Sequence, residues 1–346
     1  METNQYFDGI VGQKVAKRKL SFFLDNYKSS YYIPHLMFVA PKGCGKTLIA
    51  KAVGKNLNGR TGEKAKKFLE INCSTIKSIK QLFNQVIVPH VNDNECTILF
   101  DEASELPKDV TMALLTILNP NKENRTSFSF EEYIVDFDFT YQSFMFATTE
   151  AQSIFHALMD RCDRVDLEEY NYNELGEIVG RNLEGVTFQD GLLENIATIL
   201  RGNARAAQKM ANNIKAFLKG KEKKHFSNGD WDGLKYSLGI LPLGLSRIEL
   251  QLLQILEVDG ECSLTKLAAK TGLTPECLRR DFEMYLLKNN LMEITRSGRG
   301  ITKGGREYLK EVPNEEEPKT KVKKGTIRLK LPAAPKNRRE PVRDRV

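Results

Sequence analysis

The sequence predicts an α/β fold in which a parallel sheet covered by helices is followed by a helical domain and a C-terminal winged helix. Strand-like and helix-like segments alternate through residue 168, as they do in parallel sheets with helical connections. Strand signals then stop, and helical periodicity continues to about residue 239. Three helices and two short strands around a basic turn follow. We therefore predict three domains, 1–168, 169–239 and 240–312, and a basic tail over 313–346.

The first domain is recognised by short, continuous apolar runs that fit the buried strands of a parallel sheet. Helices are predicted over 15–27 and from Lys46 to about residue 57. An inserted β-hairpin is predicted near 124–139, because apolar and polar residues alternate there. The predicted sheet strands are 36–39, 68–72, 97–100 and 144–147.

The second and third domains are read from helical periodicity and from helix caps. Helices are predicted over 173–182, 190–201 and 204–218, with a loop over 219–230. In the third domain, a helix spans 246–256, another starts at Ser263, and a third has Thr274 as N-cap and Pro275 at its first position. Two short strands, 291–295 and 300–302, enclose the turn Arg296-Ser297-Gly298-Arg299. This pattern is typical of a winged helix.

Composition and charge exclude several classes of protein. No segment approaches the roughly 20 apolar residues of a membrane helix, and the first 14 residues lack the features of a secretory signal, so a cytoplasmic location is expected. The six cysteines and four histidines show no metal-ligand spacing. The net charge is +7, and residues 313–346 hold eleven Lys or Arg against five Asp or Glu. Such a tail is compatible with nucleic-acid binding, and equally with a solvated segment that has no partner.

A phosphate-binding loop is predicted between the first strand and the following helix. Glycines there let backbone N–H groups surround phosphates, and the helix N-terminus adds its positive dipole end. Lys46 would reach the β- and γ-phosphates, and the Thr47 hydroxyl would coordinate Mg²⁺. Ala40 replaces the usual first glycine, which is tolerable only where φ is negative. The residues expected to contact the nucleotide here are Pro41, Lys42, Gly43, Cys44, Gly45, Lys46, Thr47 and Leu48.

Two carboxylates follow a later strand at the edge that faces this loop. Asp101 would hold Mg²⁺ through water, and Glu102 would polarise the attacking water, so the pair indicates hydrolysis as well as binding. The strand that ends at residue 147 is followed by Thr148 and Thr149. Thr149 is the preferred contact for the γ-phosphate or the attacking water, although spacing alone leaves Thr148 open. Arg161 is a candidate arginine finger that acts across a subunit boundary, with a surface ion pair as the simpler interpretation.

In this order, the motifs resemble those of the AAA+ ATPases, and within that class most closely the RuvB family of Holliday-junction branch-migration motors. The segment Ile10-Val11-Gly12-Gln13 matches the family's opening segment, and this resemblance implies that Val11 and Gly12 pack beside adenine. Gly202-Asn203-Ala204-Arg205 stands where the family has Gly-Thr-Pro-Arg, which identifies Arg205 as a nucleotide sensor on the helical lid. The turn around Arg296 is similar to the family's DNA-contacting wing.

The resemblance implies an ATP- and Mg²⁺-dependent motor that works on DNA as a ring, expected to be a hexamer. Arg296, Arg299 and Lys303 are the predicted DNA contacts, and they would meet the phosphate backbone largely without regard to sequence. In relatives, the inserted hairpin docks the junction-binding partner RuvA. Here, Ala103-Ser104 replaces the family's usual Ile-His, the hairpin tip near 124–131 lacks the family's Gly-rich sequence, and the basic tail is an addition.

Two other functions fit parts of the sequence. A clamp-loader-like or helicase-loading ATPase would share the motifs around Thr149 and Arg161, but its C-terminal region is usually a helical collar. A non-motor, ATP-responsive DNA-binding regulator would need neither Glu102 nor Arg161. Steady-state ATPase measurements on variants of these two residues separate such a regulator from a motor.

Overall fold

The fold is described from a computed structural model that covers residues 5–60, 64–91, 94–119, 125–130, 133–139, 142–221 and 223–312. These residues form two compact units, the first ending at Leu250 and the second beginning at Gln251. The basic tail after residue 312 lies outside the described residues, as does the turn of the inserted hairpin. The predicted domain boundaries at 168/169 and 239/240 stay predictions.

The first unit opens with a parallel sheet flanked by helices, which confirms the predicted α/β class. The described helices of this part are α1 (Lys14–Ser30), α2 (Lys46–Lys55), α3 (Ile79–Leu82), which continues as a π-helix over Phe83–Val91, α4 (Lys108–Ile117) and α5 (His156–Met159). The strands are β1 (Leu36–Val39), β2 (Lys67–Asn72), β3 (Cys96–Asp101), β4 (Arg125–Phe130), β5 (Tyr133–Asp138), β6 (Ser143–Thr148) and β7 (Asp163–Asp166).

The sheet has the strand order β2-β3-β6-β1-β7, so β1 lies between two strands that come much later in the chain. Ligands of open α/β sheets bind at the carboxyl ends of strands, where the strand order reverses. The loop after β1 and the end of β3 both lie at that edge. Strand β7 was not predicted, because it is an edge strand in which Val165 alone is buried.

Burial on both faces explains the apolar runs that predicted the central strands. Phe100 of β3 and Phe146 of β6 stack with ring centroids 5.2 Å apart on one face of the sheet. Their neighbours Leu99 and Met145 point to the opposite face, against α1 and α2. Strands covered on both sides are apolar at successive positions, and this is the pattern seen in the sequence.

The inserted hairpin consists of β4 and β5, which pair antiparallel from Arg125 opposite Asp138 to Phe130 opposite Tyr133. Its strands begin at residue 125 and end at residue 138, within the range in which a hairpin is predicted. Most of the predicted partner-docking tip near 124–131 therefore belongs to β4, and residues 124 and 131 lie outside the described part of the chain.

The rest of the first unit is a helical lid, comprising α6 (Tyr172–Arg181), α7 (Leu192–Ala197), α8 (Ala204–Lys219) and α9 (Asn228–Leu238). The prediction of an all-helical domain was wrong in one detail, because β8 (Thr187–Phe188) and β9 (His225–Phe226) pair in parallel. The predicted loop over 219–230 was also wrong in part, since it contains β9 and the first turn of α9. Two-residue strands are too short to show a periodicity in sequence.

The second unit is a winged helix, as predicted. Helix α10 (Arg247–Asp259) begins before the boundary between the units and continues through it. The Thr274 side chain accepts a hydrogen bond from the backbone N–H of Cys277, as expected of an N-cap. The remaining elements are α11 (Leu264–Thr271), α12 (Pro275–Cys277), a π-helical segment over Leu278–Glu283, α13 (Met284–Lys288), β10 (Met292–Ile294), β11 (Arg299–Ile301) and α14 (Lys303–Glu311).

None of the described helices is, by itself, long and apolar enough to cross a bilayer. The pair Asn228–Gly244 and Arg247–Asp259 reaches that length and apolar content only when both helices are taken together, and it is bent by 53°.

His35, just before β1, makes stability depend on pH. Burial lowers the pKa of its imidazole to about 4 from the usual 6.5, and the ring packs edge-on against Phe144 at 5.6 Å. Because the folded-state pKa is depressed, His35 takes up a proton in the unfolded chain but not in the folded chain as pH falls from 6.5 to 4. We expect the free energy of unfolding to fall by about 2 kcal/mol between pH 7 and pH 5 on this account.

Urea denaturation of the wild type and of His35→Phe at the two pH values measures this contribution. The wild type should lose more stability than the variant, and equal losses would contradict the assignment. His156→Gln is the matched control, because the side chain of His156 is 90% exposed.

Candidate functional site

A cavity of about 430 Å³ lies at the carboxyl ends of β1, β3 and β6, between the sheet and the lid. It collects predicted residues that are distant in sequence, from the opening segment, the loop after β1, the end of β3, the end of β6 and the start of α8. The predicted residues that line it are Val11, Lys42, Gly43, Gly45, Lys46, Thr47, Leu48, Asp101, Glu102, Thr149 and Arg205.

The loop between β1 and α2 has the backbone geometry of a phosphate cradle. Gly43 and Gly45 have φ values of 84° and 90°, in the left-handed region that favours glycine. Ala40 is not among the residues with positive φ, which explains why alanine is tolerated there. The Lys46 ammonium donates hydrogen bonds to the carbonyl oxygens of Ala40 at 2.8 Å and Pro41 at 3.1 Å. The loop thus holds this cation at the start of α2, beside the free N–H groups of the first turn.

Electrostatics at Lys46 reflect its position inside the cavity. Burial lowers the pKa of its ammonium, and the nearby Arg205 guanidinium lowers it further. The carboxylates of Asp101 and Glu102 act in the opposite direction. Lys46 and Arg205 therefore meet the carboxylates of Asp101 and Glu102 in one cavity, which suits a polyanion accompanied by a divalent cation.

Thr47 and Asp101 form the part of the site that suits Mg²⁺. The Thr47 hydroxyl donates to Asp101 Oδ2 at 2.9 Å, and Asp101 Oδ1 accepts the backbone N–H of Glu102 at 3.0 Å. Mg²⁺ prefers oxygen ligands and is usually bound through one or two carboxylates, water and substrate phosphates. The donor set of this pair fits that preference.

Glu102 follows β3 in a left-handed conformation, with φ of 57° and ψ of 47°. Non-glycine residues adopt this region at some energetic cost, and they cluster at functional sites. Its side chain is exposed and lines the cavity next to Asp101. A carboxylate at this position could orient a water molecule against a phosphate bound in the cavity.

The two threonines after β6 differ in burial. Thr148 is fully buried, and its hydroxyl accepts the backbone N–H of Glu150 at 2.9 Å. Thr149 is exposed, and both residues border the cavity. Because Thr148 is fully buried and Thr149 is exposed, the structure favours Thr149 as the residue that would contact a ligand.

The lid touches the phosphate loop directly at the start of α8. The Asn203 side-chain amide donates to the carbonyl oxygen of Lys42 at 3.2 Å, and the Ala204 N–H donates to that of Gly43 at 3.1 Å. Asn203 also caps α8 by accepting the N–H of Arg205 at 2.9 Å. Arg205 is therefore aimed at the cavity from a turn that is itself bonded to the loop.

Four of the residues predicted for the nucleotide site do not line the cavity. Gly12, with φ of 65°, lies where an added Cβ would meet the Glu174 carboxylate at 2.7 Å, so it allows close packing of the lid. Pro41 is exposed, and Cys44 is buried in the core with its carbonyl oxygen 3.3 Å from the Tyr170 hydroxyl. Arg161 follows α5, and its Nη1 donates to the carbonyl oxygen of Ala157 at 2.9 Å.

The wing of the second unit is a tight turn between β10 and β11. The backbone N–H of Thr295 donates to the carbonyl oxygen of Gly298 at 2.8 Å, which leaves Arg296 exposed at the tip. Lys303, at the start of α14, is 91% exposed and lies 3.7 Å from Glu307. Arg299 is placed differently: only 17% of its side chain is exposed, and it donates to Glu283 at 3.0 Å.

Family comparisons match both parts of this arrangement. The model of the AAA family, ATPases associated with various cellular activities, matches residues 36–170, and the model of the RuvB C-terminal winged helix domain matches residues 242–310. The chain is an AAA+ ATPase that resembles the RuvB family.

Individual relatives are similar to this chain over most of its length. A Holliday junction branch migration complex subunit RuvB from Ligilactobacillus salivarius is 24% identical over 328 residues, covering 88% of this chain and 90% of the relative. The protein of the same name from Rickettsia africae is 25% identical and covers 90% of each chain. The solved structure of the Thermotoga maritima RuvB Holliday junction branch migration motor has a TM-score of 0.71 at 23% identity, covering 89% of this chain and 98% of that one.

Sequence reasoning missed several residues of the AAA+ cavity. Their side chains come from the first lid helix and from the second turn of α8, where the sequence shows only ordinary amphipathic periodicity. Tyr170 had no distinguishing pattern either. The missed lining residues include Tyr170, Ile178, Arg181, Asn182 and Gln208.

Arg299 also has a role that the sequence did not reveal. Its guanidinium donates to both carboxylate oxygens of Glu283, at 3.0 and 3.2 Å, and Glu283 is 4% exposed. The pair joins the wing to the π-helical segment of the preceding helix. This placement corrects the expectation that Arg299, like Arg296, is available to DNA phosphates.

Replacing Arg299 should therefore destabilise the wing. Removing one partner of a buried ion pair leaves the other charge buried, so Arg299→Ala is expected to cost about 3 kcal/mol of local stability. Arg296→Ala should change it by less than about 0.5 kcal/mol, because that side chain is exposed. Hydrogen exchange at the amides of β10 and β11 measures both values. Unchanged protection in Arg299→Ala would contradict the structural role.

Proposed function

We propose that the chain is an ATP-driven DNA motor that moves branched DNA as a ring, in the manner of Holliday-junction branch migration. One observation carries the proposal: the chain combines a cavity with the groups needed for ATP hydrolysis and a winged helix matched by the RuvB family model. The curated relatives, which cover most of the chain, carry the name Holliday junction branch migration complex subunit.

In this proposal the cavity binds ATP with Mg²⁺. The loop amides and Lys46 hold the phosphates, while Thr47 and Asp101 hold the metal ion, which neutralises phosphate charge when bound. Glu102 orients the attacking water, and Thr149 contacts the γ-phosphate or that water. Val11 borders the base. Arg205 senses the nucleotide from the lid.

A ring is proposed because Arg161 lies outside the cavity of its own chain and would complete the site of a neighbour. A head-to-tail interface of this kind closes into a ring when the rotation between subunits is right. Six subunits are proposed from the resemblance to the RuvB family alone. The hairpin of β4 and β5 is the proposed docking element for a RuvA-like junction-binding partner. The cytoplasm is the proposed location.

The DNA end of the motor is assigned to the wing and to α14. Arg296 is exposed at the wing tip, and Lys303 is 91% exposed. Cations of this kind contact phosphates and release condensed counterions, so the interaction is independent of sequence. Arg299 contributes by holding the wing in place.

A four-way-junction assay tests the proposal. Purified protein with ATP and Mg²⁺, with and without candidate junction-binding partners, should dissociate the junction, and Lys46→Ala should not. Retention of the junction by protein that hydrolyses ATP and deposits another protein on DNA would instead support a loader.

Arg296→Ala should weaken DNA binding without affecting ATP hydrolysis in the absence of DNA. The expected change is a uniform loss of affinity across sequences, with the slope of log K against log salt reduced by about one. Fluorescence anisotropy at several salt concentrations measures it. Glu293→Ala, an exposed change on β10, is the control. An unchanged slope would remove Arg296 from the DNA surface.

A further inference from the structure

The turn before α8 is bonded on one side to the phosphate loop and on the other side to the start of α10. The loop side consists of the Asn203 and Ala204 bonds to the carbonyl oxygens of Lys42 and Gly43. Two residues earlier, the Arg201 guanidinium donates to Glu249 in the first turn of α10, through Nη1 to Oε1 at 3.0 Å and through Nη2 to Oε2. Arg201 and Asn203 therefore belong to one short turn with two anchors.

The ion pair between Arg201 and Glu249 of α10 is held by several further hydrogen bonds. Glu249 is completely buried, and its carboxylate also accepts the backbone N–H of Ser246 at 2.7 Å and the Ser246 hydroxyl at 2.9 Å. Arg201 also donates to the carbonyl oxygen of Gly244, from Nε at 3.0 Å. A bidentate guanidinium fixes orientation as well as distance, and a buried carboxylate released from its partner is costly.

Backbone geometry adds to this rigidity on both sides of the contact. Arg201 has a φ of 54°, in the left-handed region that a non-glycine residue rarely adopts. Gly244, with a φ of 66°, comes so close to the other segment that an added Cβ would lie 2.2 Å from the carbonyl oxygen of Ile199. The segment that contains Ile199 and the segment that contains Gly244 are therefore in direct backbone contact beside the ion pair.

Helix α10 begins at this contact and continues into the second unit. It runs without interruption from Arg247 to Asp259, while the second unit begins at Gln251, two residues after Glu249. A helix transmits a displacement of its first turn along its axis, because its hydrogen bonds make it stiff over this length.

We infer that the Arg201–Glu249 pair is the positioning link that transmits the nucleotide state of the phosphate loop to α10, and so to the winged helix. The inference rests on the proposed motor function and names residues that touch neither nucleotide nor DNA. When the loop and Arg205 engage a triphosphate, the turn over 201–203 shifts, and Glu249 follows it. Without the pair, ATP is still hydrolysed, but hydrolysis no longer moves DNA.

Hydrogen exchange on the full-length protein tests the link independently of DNA. In the wild type, amides of the segment 242–259 should exchange about threefold or more differently with Mg²⁺–ADP than with a nonhydrolysable Mg²⁺–ATP analogue. In Glu249→Gln the difference should vanish in this segment while it persists in 40–48 and 201–208. A difference retained in the variant, or absent from the wild type, overturns the inference.

Asp230→Asn is the matched control. It breaks another lid ion pair whose carboxylate is buried, since the Asp230 side chain is 6% exposed and lies 3.3 Å from Lys223, but the pair is not bonded to α10. This variant should keep the nucleotide response of 242–259. Loss of the response in both variants would indicate a general loosening of the lid and would overturn the specific role.

If Glu249→Gln does not fold, Arg201→Lys provides a second variant, in which Glu249 still lies next to a positive charge. A lysine lacks the planar fork of the guanidinium, so the nucleotide response of the segment 242–259 should be reduced.

In the junction assay, Glu249→Gln and Arg201→Lys should each lose about tenfold or more in DNA displaced per ATP hydrolysed. Their DNA-independent ATPase should stay within about twofold of the wild type. Wild-type displacement in a folded variant would contradict the inference. If the wild-type protein moves no junction, the proposed function fails, whereas the exchange experiment still decides the link.

Discussion

Glu102→Gln is expected to lower the turnover number for ATP hydrolysis by about 10²–10⁴-fold, the range that a positioned general base or water-orienting group contributes. Glu102 lines the cavity beside Asp101, which is hydrogen-bonded to the Thr47 hydroxyl. The substitution keeps the shape and the left-handed backbone but removes the negative charge that polarises water. ATP should still bind, because the phosphate loop is unchanged.

Steady-state ATPase assays and titration with a fluorescent nucleotide measure the two effects separately. In Lys46→Ala, by contrast, nucleotide binding itself should be lost, because the loop no longer holds a cation against the phosphates. Glu105→Gln is the control, since this exposed carboxylate lies three residues after Glu102 and does not line the cavity. Full activity in Glu102→Gln would show that another group activates the water.

The sequence predicted the nucleotide site well because its determinants are local. A buried strand, a glycine loop and a helix follow one another within about twenty residues, and each has a pattern set by burial or by backbone conformation. The order of β1 and β3 in a parallel sheet then brings Lys46 and Asp101 to the same edge, as the structure shows. The N-cap at Thr274 was predictable for the same reason.

Features that depend on pairing between residues far apart in the sequence could not be predicted in this way. Strand β7 exposes most of its side chains at the sheet edge, and the pairing of β8 with β9 joins residues 38 apart, Thr187 with His225. The basic turn predicted two equivalent arginines, but pairing across 16 residues with Glu283 assigns Arg299 to the interior. Arg201 had no motif at all, because its partner Glu249 lies 48 residues further on.

Arg161→Ala is expected to lower the ATP turnover number by about 10³–10⁵-fold, the effect of an arginine finger, while leaving nucleotide binding to the same chain intact. The reason is positional. Arg161 does not line the cavity of its own chain, so any contribution to hydrolysis must be made at the site of a neighbouring copy. Arg164→Ala is the control, because Arg164 is an exposed arginine paired with Asp166 at 2.7 Å.

Mixing inactive variants separates this role from a structural one. In rings that combine Arg161→Ala with Glu102→Gln, an interface is intact where the first variant supplies the cavity and the second supplies Arg161. Random mixing of equal amounts should therefore restore about a quarter of the wild-type rate. A finger that acted within its own chain would restore nothing. The Nε of Arg161 is buried without a hydrogen-bond partner among the described residues, so thermal unfolding of Arg161→Ala must accompany the assay. A folded variant that mixing fails to rescue would rule out action between subunits, and with it the case for a ring.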